Sequence, residues 1–148
     1  MKEIIYIFLI LLSFTLTTGC DNKVEESNEN VSIYSEEIES MRVIINNQEY
    51  VVELENNETV KKLLHLLPLT VTMNELNGNE KYVNLDEELP TSSYYPKHIE
   101  KGDVMLFGDN CLVIFYESFD TTYPYTKIGH ISNLENLGNG NIEVIIEK

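Results

Sequence analysis

From Met41 to the C-terminus the chain is a series of short β-branched and aromatic runs, each closed by a turn rich in Asn or Gly. That rhythm limits the fold more than any other feature. Met41-Arg-Val-Ile-Ile45 and Tyr50-Val-Val-Glu-Leu54 flank Asn46-Asn47 and predict a hairpin. Leu69-Thr-Val-Thr-Met73 alternates as a strand, and Asn77-Gly78-Asn79 turns the chain into Lys81-Tyr-Val-Asn-Leu85. Val104-Met-Leu-Phe107, the run Cys111 to Glu117, Lys127-Ile-Gly-His-Ile131 and Ile142-Glu-Val-Ile-Ile146 follow, with turns at Gly102, Gly108 and Gly138 to Asn141. One stretch is helical instead. Val60, Leu63, Leu64 and Leu67 share a face, Asn57 stands where a cap belongs and Pro68 ends the run, so a helix is expected from about Glu58 to Leu66. Leu89-Pro90 and Tyr95-Pro96 bracket chain that reads as a long loop. Short strands with regular turns and one or two short helices predict a mainly β domain over residues 41–148, a small closed or nearly closed β-barrel.

The preceding residues have a different character. Ile4 to Leu16 are almost continuously apolar behind Lys2, partly offset by Glu3. The run falls short of the roughly 20 residues that span a bilayer and reads as the apolar part of an export signal. Leu16-Thr-Thr-Gly-Cys20 resembles the lipobox of bacterial lipoproteins, in which a small residue precedes the cysteine that is lipidated, although Thr17 stands where that pattern prefers Leu. The resemblance implies a signal peptide over 1–19 and a lipid on Cys20. Buried methylenes contribute about 0.8 kcal/mol each, so several acyl chains together hold a protein on a membrane. Residues 20–40, dominated by Asp, Glu, Asn and Ser, bury too little apolar surface to offset chain entropy and are expected to form a flexible acidic tether. The expected location is the extracytoplasmic face of the cell membrane, with the membrane itself as a partner through Cys20.

Charge and composition exclude several functions. The net charge is -15 and Arg42 is the only arginine, so a phosphate backbone would be repelled and no nucleic-acid partner is expected. Cys111, in the apolar run Cys111-Leu-Val-Ile-Phe115, reads as a small core residue, because an acidic chain offers little to stabilise a thiolate. His65, His98 and His130 have no partner at metal-ligand spacing, and Asp86-Glu87-Glu88 lacks the spaced ladder and glycine of a calcium loop, so no metal is expected. No Gly-x-Ser-x-Gly elbow and no glycine-rich phosphate loop occurs; no cofactor is expected. Glu75 and Glu80 flank a tight turn, and their proximity alone does not make catalytic carboxylates.

Five segments carry a more specific likeness: Leu66 to Met73, Asn77 to Tyr82, Gly102 to Gly108, Cys111 to Tyr116 and Tyr125 to Ile131. Together they resemble the bacterial cyclophilin-like domain family, from about Met41 to Glu147, and the resemblance implies a cyclophilin-type β-barrel. Lys127 stands where the family pattern usually has arginine. True cyclophilins place an arginine beside aromatics, with a glutamine and a histidine; no matching run is recognisable, so no catalytic residue carries over. Aromatic residues are the most suggestive cluster. One reading has Phe115 filling the barrel while tyrosines seal its mouth. The functional reading is a shallow pocket for a small molecule or peptide, with walls among Tyr82, Phe115, Tyr116, Phe119, Tyr123 and Tyr125, bounded by Asn77, Glu80 and Lys127. Alternation puts Phe115 and Tyr116 on opposite faces of their strand, so at most some of these residues can share a pocket. The function expected is a non-catalytic, membrane-anchored binding module; the alternatives are a divergent prolyl isomerase for exported proteins and a structural role in an envelope complex.

Overall fold

The computed structural model describes residues 40–148; the expected signal segment, Cys20 and nearly all of the expected tether lie outside the described residues. The elements in chain order are β1 Met41–Ile45, β2 Gln48–Leu54, α1 Glu58–Leu66, β3 Leu69–Leu76, β4 Glu80–Asn84, β5 His98–Ile99, β6 Asp103–Phe107, β7 Cys111–Phe115, β8 Phe119–Asp120, β9 Thr126–His130 and β10 Ile142–Glu147. Eight strands close a barrel in the order β1-β10-β3-β4-β7-β6-β9-β2, and β5 pairs with β8 apart from it. Neighbouring strands run antiparallel. The ladder that closes the barrel is short, joining only Glu53 and Leu54 of β2 to His130 and Gly129 of β9, and every barrel strand has a neighbour on both sides.

Local chemistry sets the joints. Asn46 and Asn47 adopt φ of 52° and 64°, and Asn77 and Gly78 adopt 56° and 72°. These are the paired left-handed residues that match the twist of a tight hairpin, and asparagine and glycine tolerate them best. Asn57 caps α1 by accepting the Val60 amide at 2.9 Å, and its Nδ2 donates to the Lys127 carbonyl at 2.8 Å, so the cap also ties the helix to β9. Gly129 is required where β9 crosses close to β2: a Cβ there would lie 2.4 Å from the Glu53 carbonyl oxygen.

Apolar packing falls into two clusters. Met41, Val43, Ile45, Val52, Met73, Val104, Leu106, Leu112, Ile114, Ile128, Val144 and Ile146 point inward, and Val60, Leu63 and Leu64 of α1 join them. The second cluster, Ile99, Met105, Val113, Phe115 and Tyr125, lies on the opposite, outer face of β6 and β7. This corrects the expectation that Phe115 fills the barrel. Tyr116 is in phase with Leu112 and Ile114 and occupies the interior, whereas Phe115 is in phase with Val113 and lies outside. A single helix forms, over the expected residues. The stretch read as a long loop holds β5 and a bridge from Tyr94 to Tyr125; its short pairings lack the alternating apolar run that marks a strand.

Candidate binding site on the outer face of the barrel

Three strands turn their outward residues toward one hollow. Along β4, Lys81 and Val83 point inward while Glu80, Tyr82 and Asn84 point outward. Register sets Glu80 beside Phe115, Tyr82 beside Val113 and Asn84 beside Cys111, and continues with Val113 beside Met105 and Cys111 beside Phe107. The hollow above this sheet encloses about 670 Å³, within the range of about 300–1,000 Å³ usual for small-molecule sites. It is lined by Tyr82, Val113 and Cys111 from the sheet, by Phe107, Phe119, Tyr123 and Tyr125, and by the β3–β4 turn through Leu76, Asn77 and Asn79.

The rings brace one another. Phe107 meets Tyr123 edge-on at 6.0 Å and Tyr125 at 5.6 Å; Phe115, behind them, meets Tyr125 edge-on at 5.5 Å and Phe119 at 5.5 Å. Such tilted and edge-to-face pairs are the favoured geometry for aromatic quadrupoles. Tyr125 is further held by reciprocal backbone hydrogen bonds with Tyr94, of 2.9 and 3.0 Å. The hollow is therefore formed by side chains already locked in place, while Tyr123 stays 61% exposed at its rim.

Of the residues singled out from the sequence, the fold brings Asn77, Glu80, Tyr82, Phe119, Tyr123 and Tyr125 together around the hollow. Phe115 sits one layer beneath, fully buried. Tyr116 and Lys127 are elsewhere. Tyr116 faces the barrel interior, and Lys127 on β9 lies 3.8 Å from Glu55 and 3.9 Å from Asp103, beside Met105 rather than Phe107. Sequence reading missed Phe107, Asn79 and Cys111. Strand phase was the available signal for Cys111: it shares a face with Val113 and Phe115, so it is a half-buried wall of the hollow rather than a residue of the barrel core.

Glu80 dominates the electrostatics. It is the one charged residue among those lining the hollow, and among the described residues its carboxylate has no hydrogen-bond or ion-pair partner. Burial, and then the negative charge of Glu75, push its pKa above the ordinary carboxylate value. Burial and the charge of Glu80 together raise the Cys111 thiol, and burial followed by Glu80 raises the Tyr125 phenol. Asn79, also in the lining, has a buried Oδ1 that takes no hydrogen bond among the described residues.

The inner side of the same strands is the reverse. Lys81, fully buried, donates to Glu75, to the Gly138 carbonyl at 2.7 Å and to the Gly140 carbonyl at 2.7 Å, and its ammonium lies 4.9 Å from the Tyr116 ring centroid. Tyr116 donates its hydroxyl to Glu75 at 2.7 Å, and the Gly78 amide donates to the same carboxylate at 2.8 Å. Burial alone would raise Glu75, yet the hydrogen bonds from Lys81, Tyr116 and Gly78 hold it below the ordinary value. Tyr116 is pushed up to about 12 by burial and by the carboxylate it bonds. This network fastens the β3–β4 turn, which rims the hollow, to the loop before β10.

An antiparallel eight-stranded barrel with one short helix, carrying its aromatic cavity on the outside of the wall, defines a small barrel class. The sequence profile of the cyclophilin-like family matches residues 43–147, and the chain belongs to that family. The solution structure of a hypothetical protein from Archaeoglobus fulgidus is similar, with a TM-score of 0.49 and 22% identity, covering 73% of this chain and 92% of that one. No curated protein matches the chain.

Proposed function

We propose that the protein is a non-catalytic binding module of the cell envelope: a cyclophilin-like barrel held by a lipid on Cys20 at the extracytoplasmic face, taking a small molecule or a peptide into its outer-face hollow. One observation carries the binding half of this reading. The hollow is preformed by interlocked rings and has an unpaired carboxylate in Glu80 with Asn77 and Asn79 beside it, the mixture of apolar wall and few polar groups that ligand sites use. A binding role is favoured over prolyl isomerisation by the position of the chain's sole arginine. Arg42 lies on β1, paired with Glu147 at 3.0 Å and bonded to the Lys148 carbonyl at 3.0 Å, and does not stand beside the aromatic group.

Ligand screening against the full-length chain, followed by substitution of Tyr82 and Tyr125 with alanine, tests the binding half. Affinity for any ligand found should drop on both substitutions; unchanged affinity would move the site elsewhere. The anchor has its own test. Intact mass of the membrane-extracted protein should show loss of residues 1–19 and a gain of acyl mass that Cys20→Ser abolishes, whereas an unmodified mature form would refute the lipid anchor.

A further inference from the structure

We propose that the outer-face hollow selects small organic cations, an ammonium group on an apolar body, with Glu80 as the anion that receives the charge; this rests on the hollow being a binding site. Charge complementarity is the argument. A ligand whose apolar body fills the space between Tyr82, Phe107 and Tyr125 displaces water from around Glu80, the only charged lining residue. A neutral occupant without a donor leaves that carboxylate desolvated and uncompensated, and an anionic one adds repulsion; an ammonium supplies both the hydrogen-bond donors the water gave and the opposite charge. The nearby acid cannot compete for the role, because Glu75 is already engaged by Lys81, Tyr116 and Gly78.

The walls favour the same ligand. Aromatic faces attract ammonium groups through their quadrupoles, and the hollow presents the rings of Tyr82, Phe107, Tyr123 and Tyr125. The unpartnered Asn79 Oδ1 calls for an N–H or O–H donor close by, and the Asn77 side chain lies exposed at the rim. A space of about 670 Å³ suits an amine with one or two rings.

Calorimetric titration of the full-length protein in a nonionic detergent, using three probes of like shape, tests the proposal: 2-phenylethylammonium, 2-phenylethanol and 3-phenylpropionate. The ammonium should bind at least about tenfold more tightly than the alcohol, a difference of about 1.4 kcal/mol, and the carboxylate should bind most weakly. Glu80→Gln should bring ammonium and alcohol to near-equal affinity, by weakening the ammonium and, with the desolvated charge gone, by strengthening the alcohol if anything, with an unaltered circular-dichroism spectrum showing that the barrel persists. Equal binding of all three probes, or a preference that survives Glu80→Gln, overturns charge selection and leaves the hollow as a binding site. Failure of every probe at millimolar concentration, with alkylation of Cys111 proceeding at the same rate in their presence, overturns the binding reading as well.

Discussion

Two successive residues of β4 meet opposite fates. Lys81 faces inward and is fully buried, yet all three of its protons find acceptors and a ring lies against the charge. An ammonium has three donors and no more, so nothing about Lys81 is left to satisfy. Glu80 faces outward into the hollow, half-buried, with no partner among the described residues. The contrast separates an ion that holds structure from an ion that is available to a ligand. A buried charge persists in a fold only when its hydrogen bonds are complete, and the loss of one member is then severe because the others are stranded.

The largest effect should come from breaking the satisfied side. Lys81→Ala strands Glu75 and the Gly138 and Gly140 carbonyls, and should cost about 3–5 kcal/mol in urea unfolding. A cost below about 1 kcal/mol would mean that the network adds no more than a surface ion pair. Tyr116→Phe removes only the hydroxyl bond to Glu75 and keeps the ring beneath the ammonium, so a smaller loss of about 1.5–3 kcal/mol is expected. Acid supplies a third route to the same side. Because the folded pKa of Glu75 is depressed, its contribution is complete above the ordinary value of 4.5 and is lost as pH falls through the lower folded value. Thermal melts over that window should show stability falling in the wild type and a much flatter limb in Lys81→Ala.

Residues 41–148 spoke clearly in sequence because closed β structure repeats a simple code. Runs with period two gave strands, Asn46-Asn47 and Asn77-Gly78 gave tight turns, and Asn57 with Pro68 bounded the helix. The site was only partly legible. Asn77, Glu80, Tyr82, Phe119, Tyr123 and Tyr125 could be gathered because an aromatic cluster stands near a tight turn, but which face each residue takes depends on register across β4, β7 and β6. A tyrosine in an apolar run is ambiguous until its hydroxyl partner is known, and Tyr116 goes inside because Glu75 and Lys81 wait there. Lys81 itself was readable in retrospect, since it shares phase with Val83 and lies opposite Glu75 in the hairpin. What no single segment encodes is that Phe107 and Cys111 come to line the same hollow as Leu76 and Asn79.

The smallest expected effect is also the sharpest, because its sign is opposite. Glu80 has a raised pKa, so the folded state holds its proton more tightly than the unfolded chain does. Stability must therefore fall as pH rises from the ordinary value of 4.5 through the raised folded value, and above that the full penalty applies. The titratable groups that act on this carboxyl are Cys111 from β7 and Tyr125 just before β9, on its own side, and Glu75 through its charge from the inner side of β3; none of them is a cation that could reverse the sign. Glu80→Gln should accordingly melt slightly higher than wild type at pH 7.5, and the two proteins should converge as pH falls well below 4.5, where Glu80 is protonated in both states. A residue kept at some cost to folding is what a binding site produces. If Glu80→Gln instead melts lower at pH 7.5, the carboxylate has a stabilising role in the fold, and the two sides of β4 differ less than their geometry implies.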